Sequence, residues 1–154
     1  MLLSGSWFPR NFNRNERSQA ALKGKILIVD DEVSVRELFT GVFTDENYEV
    51  ITTEDGNQAL DILKRDHIDV IFLDLKLFGM NGIDLCRQMR EIKPMSMIFA
   101  ITGWAPLFEI EECRQAGFDD YFEKPLDMDM LLDAVADAIK KLDRWKKRFY
   151  NTQK

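Results

Sequence analysis

Five short apolar runs recur along the sequence, and each is followed by a stretch with helical spacing. The runs are KILIV (25–29), YEVITT (48–53), DVIFLD (69–74), SMIFAIT (96–102) and the short YF within DDYFEKP (119–125). Most are continuous rather than alternating, the pattern of strands buried on both faces. Between them the apolar residues fall into helical stripes. Val35, Leu38, Phe39 and Val42 stand at i, i+3, i+4 and i+7, one face of a helix. DGNQALDILKRD predicts a helix capped by Asp55, with Ala59, Ile62 and Leu63 inward. Gly82 to Glu91 predicts another, with Pro94 just beyond it, and Pro106 to Ala116 a fourth that Gly117 stops. Leu126 to Leu142 predicts the last, with Met128, Leu131, Leu132, Val135, Ile139 and Leu142 on one face.

Strict alternation of buried strands and amphipathic helices leaves one economical architecture. It is a parallel sheet covered on both faces, with right-handed crossovers: a doubly wound α/β sandwich. The 154 residues, 45% of them apolar, suffice for one such domain with a real core. It is expected over 24–142, with neither an internal repeat nor a second domain. No apolar run reaches the roughly 18 residues of a membrane span. The opening MLLSGSWFPRNFNRNERS never builds the apolar core of a signal peptide. Cys86 and Cys113 lie within apolar-periodic stretches and read as reduced, buried thiols of a cytoplasmic protein.

The net charge of −6 is unevenly distributed. Residues 1–23 carry +3, from Arg10, Arg14, Arg17 and Lys23 against Glu16. Residues 140–154 carry +6, seven basic residues against Asp143, which leaves −15 between the two ends. So acidic a body does not bind nucleic acid over its own surface. Residues 1–23 show no sustained period and read as a flexible basic arm. Residues 143–154 form a basic tail in which Trp145 and Phe149 continue the spacing of Ala138 and Leu142, so that the last helix can run on. Three partners suit that tail: the acidic surface of its own domain, a second protomer or other protein, and anionic lipid or nucleic acid.

In doubly wound sheets the functional site lies outside the carboxyl ends of the strands. Asp30 and Asp31 end the first strand, Asp74 the third, Thr102 the fourth and Lys124 the fifth. Singly, each has a bland reading: a turn, a helix cap or a loop. Together they suit phosphoryl chemistry. Clustered carboxylates repel unless a cation lies among them, and Mg²⁺ takes oxygen ligands. Asp31 and Asp74 can bind such an ion directly, Asp30 through a water, and the backbone carbonyl of Lys76 completes the set. A carboxylate can then act as nucleophile and become an aspartyl phosphate. Lys124 and the Thr102 hydroxyl can pair with phosphate oxygens. His67, before the third strand, is off this rim.

ILIVDDE, VIFLDLKLFGMNGIDL, AITGW and GFDDYFEKPLDMDML, in that order, resemble the receiver domain of two-component response regulators, over about 24–142. The resemblance implies a flavodoxin-like three-layer sandwich with strand order 2-1-3-4-5. It implies Asp74 as phosphoacceptor, Asp30 and Asp31 as the acidic pair for Mg²⁺ or a similar ion such as Mn²⁺, and Thr102 and Lys124 as phosphate-sensing residues. It also implies Tyr121 as a switch aromatic and a cis Lys124–Pro125 bond. The implied partners are a sensor histidine kinase or histidine phosphotransfer protein and a downstream target protein. A homodimer through helix 4, strand 5 and helix 5 is a further implied assembly. With only a short tail after helix 5, the expectation is a single-domain regulator of the chemotaxis type, without a DNA-binding domain. It would be a signalling protein rather than an enzyme, one that assists its own phosphorylation and dephosphorylation. The competing expectation is a receiver-fold interaction module that works without phosphorylation.

Two positions depart from the family pattern. Phe78 stands where the family usually has Pro, which leaves that loop less restrained. Trp104, two residues after Thr102, is bulky enough to shield an acyl phosphate from water and slow its loss; the alternative is simple packing on helix 4.

Overall fold

The computed structural model describes residues 21–103 and 106–153. Most of the N-terminal arm (1–20) and Trp104 therefore lie outside the described residues.

Five parallel strands form the sheet: β1 (Lys25–Val29), β2 (Glu49–Thr53), β3 (Val70–Asp74), β4 (Met97–Thr102) and β5 (Asp120–Glu123). They are arranged β2-β1-β3-β4-β5. Five helices alternate with them: α1 (Val33–Asp45), α2 (Gly56–Arg65), α3 (Gly82–Ile92), α4 (Leu107–Ala116) and α5 (Met128–Thr152). This is the flavodoxin-like receiver topology.

The period of two within each strand divides the core into two layers. Leu27, Val29, Ile71, Leu73, Ile98 and Ala100 face α2, α3 and α4. Ile26, Ile28, Val70, Phe72, Phe99 and Ile101 face α1 and α5. β3 is the central strand and buried at every residue, which is why its sequence shows no alternation. On the α1–α5 side the core is aromatic. Phe72 meets Phe39 and Phe99 edge-on, at centroid distances of 4.9 and 5.5 Å, a favoured geometry for ring pairs.

The α1 stripe differs from the sequence expectation. Phe39 and Phe43 are buried, while Leu38 is 45% exposed. Two rings one turn apart fill the space over Phe72, and the helix turns Leu38 outward to seat them. Two other helices keep the caps read from sequence. Asp55 accepts from the N–H groups of Asn57 and Gln58, and Gly117 ends α4 at φ 108°. α5 begins two residues later than expected, because Asp127 caps it by accepting from Asp129 and Met130. It continues to Thr152.

A two-stranded antiparallel ribbon, Lys76–Leu77 with Met80–Asn81, follows β3 and has no counterpart in the sequence reading. Phe78 and Gly79 form its tip, with Gly79 at φ 72°, a conformation that suits glycine. Gly82 then brings the start of α3 against the chain leaving β3. A Cβ there would lie 2.6 Å from Leu75 Cα and 2.7 Å from the Asp74 carbonyl oxygen. The Lys124–Pro125 bond is cis.

Candidate functional site

β1 and β3 are neighbours, so their carboxyl ends deliver Asp30, Asp31 and Asp74 to one place. One side-chain oxygen from each lies within 4.8 Å of the others. Asp30 is 0% exposed. Its Oδ1 accepts from the Glu32 N–H at 2.8 Å. Its Oδ2 is buried with no hydrogen-bond donor among the described residues and lies 3.5 Å from Lys124 Nζ, an ion pair without hydrogen-bond geometry. Asp74 is also buried. Its Oδ1 accepts from the Lys76 N–H at 3.0 Å, and its Oδ2 lies 3.7 Å from Lys124 Nζ. Asp31 is more open to solvent and accepts from the Phe78 N–H at 3.3 Å.

These contacts set the electrostatics. Burial pushes the Asp30 carboxyl above its ordinary value; the Glu32 N–H and Lys124 oppose this, and the charge of Asp74 adds to it. Burial likewise raises Asp74, against the Lys76 N–H and Lys124, with Asp31 and Glu32 adding to the rise. For Lys124, burial disfavours the ammonium. The Glu32 hydrogen bond and the charges of Asp30 and Asp74 outweigh that and raise its pKa. The pocket thus holds more negative charge than the protein neutralises.

That imbalance tests whether a metal fits. Three converging carboxylates, one with an orphaned buried oxygen, are a donor set for a hard cation such as Mg²⁺ or Mn²⁺. One lysine shared among three acids does not complete it. Lys76 begins the ribbon two residues past Asp74, so its backbone lies along the same rim.

Thr102 ends β4 and is buried, and its carbonyl accepts from the Lys124 N–H at 2.8 Å. Tyr121, on edge strand β5, is half-buried against the α2–α4 side of the core. It lines a shallow depression of about 120 Å³ with Ile110, Cys113 and Phe118. Phe78 is 96% exposed at the ribbon tip; it enters the site through its N–H, not its ring. His67 lies before β3, at the opposite end of the sheet. Cys86 and Cys113 are unpaired and buried. Burial holds their thiols at about 12 and about 11, too high for reactivity at neutral pH.

Sequence reasoning missed one participant. Glu32 holds Lys124 Nζ at 2.9 Å across 92 residues of chain. The acidic run DDE was the available signal, but only the fold shows that its third member reaches the lysine. Arg36 secures the same corner, donating to the Asp30 carbonyl at 2.8 Å.

Comparison with known proteins agrees with this geometry. The family described as "Response regulator receiver domain" matches residues 26–136. The sporulation initiation phosphotransferase F of Bacillus subtilis is 38% identical over 111 residues, covering 72% of this chain and 90% of that protein. The alginate biosynthesis transcriptional regulatory protein AlgB of Pseudomonas putida is 36% identical over 117 residues, but there the match spans only 26% of the relative's length. Among solved structures, a CheY-like receiver domain protein from Methanospirillum hungatei superposes with a TM-score of 0.77 at 25% identity, over 80% of this chain and 98% of that one. Matching sequence, sheet order and acidic pocket place this chain in the response regulator receiver domain family.

Proposed function

We propose that the protein is a phosphoacceptor of two-component signalling, with Asp74 receiving the phosphoryl group. One observation carries the assignment. Two carboxylates are buried beside one shared lysine, and one of them keeps an oxygen without a donor. A structural site would have satisfied that oxygen; a phosphoryl-transfer site leaves it available.

The donor is a phosphohistidine of a sensor kinase or histidine phosphotransfer protein. An Asp74 carboxylate oxygen attacks phosphorus, the P–N bond breaks, and the imidazole leaves with its electron pair and takes a proton. Asp30, Asp31, Asp74 and the Lys76 carbonyl hold the cation. When bound there, Mg²⁺ or Mn²⁺ neutralises the repulsion among the carboxylates and the charge of the incoming group. The Lys76 N–H orients Asp74 by holding Oδ1. Lys124 exchanges its Glu32 partner for a phosphate oxygen, and the Thr102 hydroxyl donates to another. Tyr121 turning inward then alters the α4–β5–α5 face, which a downstream protein or a second copy reads. Two unpaired buried thiols suit the reducing cytoplasm. No described helix is long and apolar enough to cross a membrane.

The test is incubation of the purified chain with a small-molecule phosphodonor, with and without Mg²⁺, followed by intact mass. The proposal expects a Mg²⁺-dependent gain of one phosphoryl group that Asp74→Asn abolishes. Absence of any gain would favour a receiver-fold module that docks without phosphorylation.

A further inference from the structure

A concavity lies at the amino end of the sheet, the pole opposite Asp74. α5 creates it. Its 25 residues extend about 37 Å, against about 17 Å for a five-residue strand, so its last turns overhang the sheet. They are fastened to the body where Lys146 Nζ lies 3.5 Å from Asp69 Oδ1. The groove between the overhang and the chain entering β3 and β4 holds about 570 Å³.

Its lining is apolar and aromatic although it faces solvent. Leu142 is buried at its base, while Trp145, Phe149 and Tyr150 are 51%, 62% and 67% exposed, and Met95 stands open across from them. Arg148 lies 6.0 Å from the Trp145 ring centroid. Clustered exposed Trp, Tyr and Phe beside Arg is the composition of a binding hot spot, not of ordinary surface.

The charge of the lining selects the occupant. Lys93 and Arg148 add two positive charges to the lining, while Lys146 pairs with Asp69, the one carboxylate among the described lining residues. Asp69 is already taken by the Lys25 N–H, His67 and Lys146. An acidic partner is therefore favoured. The chain's own first 23 residues, at +3, carry the wrong sign. Two copies pairing groove to groove would bring the same cations together. A concave groove suits inserted side chains, whereas a lipid surface needs a protruding apolar face.

We propose that this groove is a docking site for an acidic amphipathic segment of a partner protein, whose apolar side chains insert between α5 and the Lys93–Ser96 turn. Because it lies across the sheet from Asp74, the partner can stay bound while the phosphoacceptor is engaged. The proposal does not depend on the phosphoacceptor assignment.

The test uses the full chain, isotope-labelled, titrated with a short amphipathic peptide bearing Leu and Phe on one face and Glu on the other. Parallel arms use the same peptide with Lys in place of Glu, phosphatidylglycerol vesicles, and sedimentation of the protein alone. The expected result is saturable shifts confined to residues 67–69, 93–96 and 142–152 with the acidic peptide only, unchanged in Asp74→Asn. Trp145→Ala with Phe149→Ala should weaken binding about tenfold or more, with the helix content retained. Lys93→Glu with Arg148→Glu should reverse the preference toward the Lys peptide. Equal binding of both peptides, no saturable shift, or indifference to the charge reversal would overturn the proposal. Binding to vesicles alone would assign the groove to lipid. A dimer whose interface maps to these residues would assign it to a second copy.

Discussion

Asp69 and Asp30 are both buried aspartates, one at each pole of the sheet. Asp69 is satisfied: Oδ2 accepts from the Lys25 N–H at 2.9 Å, and Oδ1 meets His67 Nε2 at 2.8 Å and Lys146 at 3.5 Å. Asp30 leaves Oδ2 without a donor and lies among other acids. The same residue type, buried to a similar degree, holds the chain together at one pole and stores repulsion at the other. Burial of a charge therefore does not mark function; an incomplete set of partners does.

The strongest way to break this contrast is substitution at the two positions. Asp69→Ala should cost about 1–3 kcal/mol, because it leaves the half-buried Lys25 N–H unpartnered and releases His67 and Lys146. Asp30→Ala in metal-free protein should cost far less or stabilise, because it relieves the burial and the repulsion from Asp74 that the single ion pair with Lys124 does not offset. Urea denaturation of both variants decides, and equal losses would erase the distinction.

Gly82→Ala probes what supports the acidic pole. The added methyl meets backbone atoms of Asp74 and Leu75, so a loss of about 1–3 kcal/mol is expected, as for overpacking elsewhere. It should be accompanied by weaker divalent-cation binding, measured by the rise in Tm on adding Mg²⁺.

pH sharpens the comparison. Asp30 and Asp74 are raised above the ordinary carboxylate value of 3.8. A raised carboxyl holds its proton more tightly folded than unfolded. Its contribution to stability is therefore full below 3.8 and declines as pH rises through the folded value. In chelator, subtracting the stability curve of Asp30→Asn with Asp74→Asn from that of the wild type should leave a decline across that window. Mg²⁺ should reverse the decline near neutrality. A flat difference would show that the pocket is not electrostatically strained.

The smallest effect belongs to Phe78. With its ring almost wholly exposed, Phe78→Ala should change stability by less than about 0.5 kcal/mol, while a thermal shift assay with Mg²⁺ stays as in the wild type.

Much of this was legible in the sequence. Continuous apolar runs named the strands because a sheet covered on both faces hides every side chain. The rim residues Asp30, Asp31, Asp74, Thr102 and Lys124 followed because parallel strands bring their carboxyl ends together. What escaped depends on packing between distant segments. α1 has more apolar residues than its buried face accepts, and only the ring of Phe72 decides for Phe43 over Leu38. Glu32 meets Lys124 across 92 residues, a pairing that no local pattern encodes. Asp69 read as the edge of an apolar strand because its partners, Lys25 and Lys146, come from opposite ends of the chain. The ribbon after β3 is two residues per strand, too short to show a period.

In the proposed function Asp74, and no other carboxylate of the pocket, takes the phosphoryl group. The most direct measurement is borohydride reduction of the chain after treatment with phosphodonor and Mg²⁺, followed by peptide mapping, since reduction of an aspartyl phosphate leaves homoserine. Homoserine at position 74, absent without donor or without Mg²⁺, is the predicted result. Homoserine at position 30 or 31, or at none, would rule out Asp74 as the phosphoacceptor.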